Sequence, residues 1–255
     1  MTGFTIKIAE RVIEARTLFE STRDFCREYL WEGKPDFTVE TSQEDIAFER
    51  EKSAREDAIE GIPVRNFSDA YLETIALQRR ITEALFAYDV LLFHGSAVAV
   101  DGQAFLFTAK SGTGKSTHTR LWRQLLGDRA VMVNDDKPFL HCSETGITVY
   151  GTPWNGKHGL GTNIGVPLKA ICILERGKEN RIRKIDAREA VFMLLQQSSR
   201  PQNGGRMGKY MELLDILAKN TAFYQLSCNM EPEAARVAYE TMSGKGLDSE
   251  IFPGK

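Results

Sequence analysis

The sequence predicts an α/β fold in which a mixed β-sheet carries a glycine-rich phosphate loop (P-loop), with a small α+β lobe at the N-terminus. Three observations carry that expectation. The segment Ala109-Lys-Ser-Gly-Thr-Gly-Lys-Ser-Thr117 follows the apolar run Ala104–Phe107 and opens a helix-like stretch, Thr117–Leu126. From Val90 onward, strand-like runs joined as hairpins alternate with amphipathic helices, so the sheet is mixed and not all-parallel. The chain before that point has a different texture, with charged, weakly periodic segments. These features divide it into a lobe over residues 1–66, joined through Pro63 and its neighbours, and a P-loop catalytic domain over residues 67–255.

In chain order, Phe4–Ile8 alternates like a strand, while Val12–Tyr29 has no clean period. Asp36–Ile46 has extended character. Glu44–Glu60 mixes both charge signs and reads as a solvated helix face or loop. Ser68–Tyr88 is an amphipathic helix, with Ser68 as its cap and Tyr71, Leu72, Ile75, Ile81 and Leu85 among its apolar positions. Val90–Phe93 and Ala97–Val100 are short strands. Asp101-Gly102 is the type I′ turn pair of a hairpin whose second arm, Gln103–Phe107, runs into the glycine loop. Ala130–Val133 reads as a buried strand, and Pro138–His141 and Ile147–Tyr150 as a further hairpin. Leu168–Glu175 is a strongly apolar strand, with Arg181–Ile185 expected to pair with it across Arg176-Gly177. Ala187–Gln197, Met207–Lys219 and Pro232–Met242 read as helices, and Thr221–Leu226 as a strand.

Composition narrows the function. Of 255 residues, 42% are apolar and 27% charged, which is ordinary for a globular protein, and the net charge of −2 gives no sign of a surface built for nucleic acid or anionic membrane. The four cysteines (Cys26, Cys142, Cys172 and Cys228) form no C-x-x-C pair, so reduced thiols are expected, not a metal or disulfide framework. With no signal-peptide pattern and no membrane-length apolar run, a cytoplasmic location is expected.

The loop fits G-x-x-x-x-G-K-[ST] with Ala109 in the first glycine position. Gly112 and Gly114 allow turns that aim successive N–H groups of Ser111, Thr113 and their neighbours at phosphate oxygens. The N-terminus of the helix through Thr117 adds open N–H donors. Lys115 then reaches the terminal phosphates, and Ser116 ligates Mg²⁺. After the next strand comes Asn134-Asp135-Asp136-Lys137. One carboxylate suffices to hold a metal, so the second is available to take a proton from an attacking hydroxyl. Asp136 on the metal and Asp135 as base is one assignment, and the reverse is the other. His94-Gly95-Ser96 precedes the loop by fifteen residues, between two strands.

The order His94-Gly95, hairpin, Ser111-Gly-Thr-Gly-Lys-Ser116, strand, Asp135-Asp136 resembles the HPr kinase/phosphorylase catalytic domain. The nucleotide-binding core of phosphoenolpyruvate carboxykinase is related to it in fold. The resemblance covers Val90–Leu174. It implies that Lys115 and the loop amides hold the phosphates, that Ser116 and an aspartate hold Mg²⁺, that one aspartate is the base, and that His94 sits behind that base and orients it. It also implies a closed homo-oligomer. Two departures stand out. The family's glutamate metal ligand is absent, because Thr148-Val-Tyr-Gly151 occupies its place. No HPr-docking signature is present. Instead Gly151-Thr-Pro-Trp-Asn-Gly-Lys-His158 resembles a pattern of kinase-like relatives found beside peptide-modification clusters. Trp154, as an aromatic plate, and Lys157 are its substrate-loop candidates, with Arg176 as a source of transition-state charge.

The function expected is a Mg-ATP-dependent kinase that phosphorylates a hydroxyl, serine in the first instance, of a peptide, small protein or small molecule. The resemblance implies that the same site could also run the reverse phosphorolysis. The alternative is a nucleotide-binding regulatory protein without phosphotransfer, a reading that the missing glutamate favours and the intact Asp pair opposes.

Overall fold

The computed structural model describes residues 1–247, and the chain divides into two compact units, Met1–Ala87 and a second beginning at Tyr88. The boundary falls after the helix Asp69–Leu85 and not before it, because that helix packs within the first unit.

In the first unit, strands β1 (Thr2–Ile8) and β2 (Arg11–Thr17) form an antiparallel hairpin through Ala9 and Glu10, both at positive φ. Helix α1 (Glu20–Phe25) follows, and β3 (Phe37–Glu40) adds parallel to β2. The extended stretch therefore ends at Glu40. Ser42 caps α2 (Gln43–Glu60) in a capping box with Asp45, which starts the helix inside the segment expected to be extended. Nor is α2 a solvated charged face. Asp45, Glu49 and Asp57 are buried, Arg79 pairs with Asp45 and Glu49, Arg80 with Asp45, and Arg65 with Asp57. Helix α3 (Asp69–Leu85) begins at the Ser68 cap, as expected. Its fully buried Glu73 accepts from the Leu18 and Phe19 amides at 2.6 and 3.1 Å and from the Thr22 and Thr41 hydroxyls at 2.5 and 2.7 Å. Those four bonds tie α3 to the turn after β2, to α1 and to the end of β3.

The second unit is a curled mixed α/β sheet with helices. Strands β4 (Val90–Leu92), β5 (Ser96–Val100) and β6 (Gln103–Thr108) lead into helix α4 (Lys115–Leu126), and β7 (Ala130–Asn134) follows. Next come β8 (Phe139–Ser143), β9 (Gly146–Tyr150), β10 (Gly165–Arg176) and β11 (Arg181–Ile185). Helices α5 (Ala187–Gln197) and α6 (Met207–Asn220), strand β12 (Ala222–Cys228) and helix α7 (Pro232–Ser243) complete the described chain. The sheet order is β4-β8-β9-β10-β6-β5-β7, with β12 also on β10 and β11 on β12. The long β10 joins two regions: its start pairs antiparallel with β9, and its remainder pairs parallel with β6 and β12.

The β5–β6 hairpin has the expected turn, with Asp101 and Gly102 both at positive φ. Arg181–Ile185 does not pair with β10, as the sequence suggested, but antiparallel with β12. The reason is burial. Strand β10 is apolar through Ala170–Leu174 and takes a parallel neighbour on each side, whereas β11, with Arg181, Arg183 and Lys184, suits a sheet edge. Under α4 and α7, Trp122 is fully buried, with ring centroids 5.0 Å from Phe105, 5.1 Å from Phe107 and 5.7 Å from Tyr239. This aromatic cluster fixes α4, and with it the loop that α4 begins.

Candidate functional site

The segment between β6 and α4 has the backbone its glycines require. Gly112 and Gly114 have φ of 73° and 123°, in the region that disfavours side chains. Helix α4 starts at Lys115 with no side-chain cap on its N-terminus, so its first N–H groups are open to a ligand. Ser111 and Gly112 are exposed, and Thr113 through Thr117 half-buried. Burial lowers the Lys115 amine below the ordinary lysine range; Asp136 works against that shift and Lys137 adds to it.

His94, Asp136 and Lys137 join this lysine in one charge cluster. His94 Nε2 lies 3.2 Å from Asp136 Oδ1, and Lys137 Nζ lies 3.5 Å from Asp136 Oδ2. The backbone holds the histidine in place: its amide donates to the Gln197 carbonyl at 2.6 Å, and the Gly95 amide donates to the Asp136 carbonyl at 3.0 Å. The hydrogen bond to Asp136 favours the His94 cation. Burial and the ammonium groups of Lys137 and Lys115 outweigh it and hold His94 below its usual range. Burial would raise Asp136, but the His94 hydrogen bond and the charges of Lys137, His94 and Lys115 bring it below the usual carboxylate range.

The two aspartates are not equivalent. Asp135 is buried, its Oδ1 accepts from the Gly156 amide at 2.6 Å, and its Oδ2 is buried without a partner among the described residues. Burial raises its pKa against the opposing pull of the Gly156 and Leu160 amides. A base needs reach before it needs the right pKa. Asp136, about a third exposed, has that reach, and Asp135, closed in by Gly156, does not.

Asn134 organises this corner, and sequence reasoning passed over it. It is fully buried. Its Oδ1 accepts from the Asp136 and Lys137 amides at 2.8 and 2.6 Å, and its Nδ2 donates to the Thr152 carbonyl and to Asn155 Oδ1 at 3.1 and 3.0 Å. An asparagine at a strand end just before Asp-Asp is the signal for such a side-chain-mimicked turn. The loop that Asn134 grips leaves β9 at Gly151, where a Cβ would meet the Thr162 carbonyl oxygen at 2.0 Å. Glycine is therefore imposed there by close backbone approach.

The remaining substrate-loop candidates separate. Trp154 is buried with its ring 6.4 Å from Phe139, edge to face, so it is a packing residue and not an exposed plate. Lys157 is exposed on the loop. Arg176, at the end of β10, donates to the Gly112 carbonyl at 2.5 Å and so braces the glycine loop. Beside that loop lies a cavity of about 510 Å³, lined among others by Thr113, His118, Leu121, Leu174, Cys228 and Met230. No motif in the sequence pointed to it. Among the described residues no three His, Cys, Asp or Glu side chains cluster to hold a metal, and no helix is long and apolar enough to cross a membrane.

A solved HPr(Ser) kinase/phosphatase from Coxiella burnetii aligns with 60% of this chain and 99% of its own, at 11% identity and a TM-score of 0.34. No curated protein matches the sequence. A family model described as "SynChlorMet cassette protein ScmC" matches residues 64–235, which spans more than half of the chain and takes in the glycine loop, His94, both aspartates and Arg176; the protein belongs to that family.

Proposed function

We propose that this protein is a Mg-ATP-dependent phosphotransferase acting on a hydroxyl, a serine of a peptide or small protein or a comparable group on a small molecule. The observation that supports it best is the meeting of Lys115, at the mouth of a positive-φ glycine loop, with the accessible His94–Asp136 pair. In-line transfer needs phosphate positioning, charge neutralisation and an oriented nucleophile, and these residues supply all three. The loop amides and Lys115 hold the β- and γ-phosphates. Asp136 accepts the hydrogen bond of the acceptor hydroxyl and takes its proton, with His94 as the positioning residue that holds the carboxylate. Asp135 anchors the Gly156–Leu160 loop over the site.

Magnesium fits this donor set as an ion that arrives on the nucleotide. The site offers hard oxygen ligands and no all-protein cage, and Mg²⁺ commonly keeps several waters beside substrate phosphates. Ser116 would ligate it, and its charge would neutralise the phosphate oxygens. Asp136, already engaged by His94 and Lys137, is assigned to the acceptor and not to the metal.

The test is calorimetry with Mg-ATP together with the basal formation of ADP, water serving as acceptor. Wild type should bind Mg-ATP and form ADP slowly, and Lys115→Ala should lose binding. Binding by wild type without any ADP formation or phosphoryl transfer to serine-containing peptides would favour the regulatory reading, to which the carboxylate-free Thr148–Gly151 stretch lends support. Absence of Mg-ATP binding would overturn both.

A further inference from the structure

We propose that the cavity beside the glycine loop receives the nucleoside half of the nucleotide, and that His118 is its base-reading residue, donating from Nδ1–H to a ring nitrogen or carbonyl on the base edge. This rests on the glycine loop being a phosphate site. It adds a residue that selects what is attached to those phosphates.

The protonation state of His118 follows from geometry. Trp122 Nε1 lies 3.1 Å from His118 Nε2, and an indole nitrogen can only donate. His118 Nε2 must therefore be the acceptor, which leaves the single ring proton on Nδ1 and the ring neutral. Nothing loosens that arrangement, because Trp122 is fully buried among Phe105, Phe107 and Tyr239, and Phe107 meets the His118 ring edge-on at 4.7 Å.

Nδ1–H is then a buried donor without an acceptor among the described residues. Native interiors rarely leave such a group unmet, and its exceptions call for an explanation. His118 is 2% exposed yet lines the cavity, which shares Gly112, Thr113, Gly114 and Thr117 with the glycine loop. The cavity's size falls within the range of about 300–1,000 Å³ typical of small-molecule sites. Its walls include Leu121, Leu174 and Met230, which suit the faces of a planar heteroaromatic ring. A group tethered to loop-bound phosphates would enter a slot with apolar walls at Leu121, Leu174 and Met230, in which His118 Nδ1–H is a fixed donor. A nucleobase, flat and rimmed with acceptors, meets that description, and a bare polyphosphate does not.

Calorimetry with two probes, Mg-ATP and Mg-tripolyphosphate, separates this proposal from the phosphate-site reading. Wild type should bind Mg-ATP at least about 10-fold more tightly than Mg-tripolyphosphate, since only the nucleotide fills the cavity. His118→Phe, which keeps the ring volume and removes the donor, should weaken Mg-ATP about 5- to 20-fold, the order expected for one buried hydrogen bond, and leave Mg-tripolyphosphate unchanged. Because that variant also strips Trp122 of its acceptor, Cys228→Phe serves as a second, filling the cavity from the end of β12 and weakening Mg-ATP alone. Equal affinity for the two probes in wild type, or equal losses for both probes in both variants, would overturn the proposal with the phosphate site intact. Binding of neither probe would overturn the phosphate site as well.

Discussion

The two units bury charge in opposite ways. In the first, each of the buried carboxylates Asp45, Glu49, Asp57 and Glu73 meets arginines or several hydrogen-bond donors. In the second, Asp135 Oδ2 and His118 Nδ1 are buried without partners among the described residues, and Asp136 is an accessible carboxylate beside the ammonium groups of Lys137 and Lys115. A satisfied network specifies a fold. A buried polar group left unmet calls for an explanation, and a bound ligand is one. On the proposed function, the contrast gives the charges of the first unit to stability and those of the second to chemistry, a reading that can be broken by experiment.

The largest effect is expected at Asp136. Asp136→Asn keeps the shape and the His94 contact but removes the proton acceptor. ADP formation or transfer to an acceptor should fall by about 10³-fold, within the range general-base loss commonly produces, while Mg-ATP affinity changes less than about 3-fold, a bound we place below one hydrogen bond. Asp135→Asn gives the internal comparison. If the buried aspartate is a loop anchor, its variant should retain far more activity, and a reversal of that ranking would assign the base to Asp135.

Next in size is Glu73→Gln in the first unit. The amide cannot accept all four bonds that the carboxylate accepts, and its NH₂ would face donors. Breaking such a buried network should cost the first unit about 3 kcal/mol, seen as an earlier transition in urea. Mg-ATP affinity should be unaltered. A change in nucleotide affinity comparable to the loss in stability would end the division of labour drawn above.

What the sequence made legible follows from the range of the interactions involved. The glycine loop, the Ser68 cap and the Asp101-Gly102 turn are local devices, each encoded within a few residues, and all three stand in the structure where the sequence put them. The strand partner of Arg181–Ile185 depended on β12, about forty residues further on, and the local reading chose the wrong neighbour. The charged stretch 44–60 looked solvated because its partners, Arg65, Arg79 and Arg80, lie on later segments. At the site, the residue types were readable and their division of roles was not. Asp135 and Asp136 are adjacent in sequence, and only the Gly156 loop, folded back on one of them, sets them apart. Asn134 and His118 went unnoticed for the same reason, since each acquires its meaning from residues brought close by the fold.

The pH dependence of stability is a subtler test of the second unit. Burial pushes His118 down to about 3 in the folded protein, against an ordinary value of 6.5. Between those values the unfolded chain binds the proton and the folded one does not, so stability is full above pH 6.5 and is lost as pH falls toward 3. From pH 7 to 4.5, His118 alone should account for about 2.5 kcal/mol of lost stability, measured without nucleotide or magnesium. His94 acts in the same direction, and Asp135, with its raised pKa, acts in the opposite one. The difference in pH slope between wild type and His118→Phe isolates the buried ring. Equal slopes would mean that His118 is hydrated or protonated in the folded state, which would also remove the fixed donor assigned to it.

The smallest effect is expected at Arg176, where the sequence suggested a transition-state cation and the structure places a guanidinium on the Gly112 carbonyl. These roles differ in what they change. A cation acting on the transferring phosphoryl group would lower kcat when removed and leave ground-state binding nearly untouched. A brace on the loop would weaken every ligand the loop holds, because the cradle must then be ordered at the moment of binding. For the brace, Arg176→Ala should weaken Mg-ATP and Mg-tripolyphosphate alike by about 5-fold, near 1 kcal/mol for one charge-assisted bond at an exposed site, with kcat at saturating nucleotide within about 2-fold of wild type. A large fall in kcat at constant affinity would move Arg176 from the scaffold of the phosphate loop to the reacting centre, beside Lys115 and Lys137.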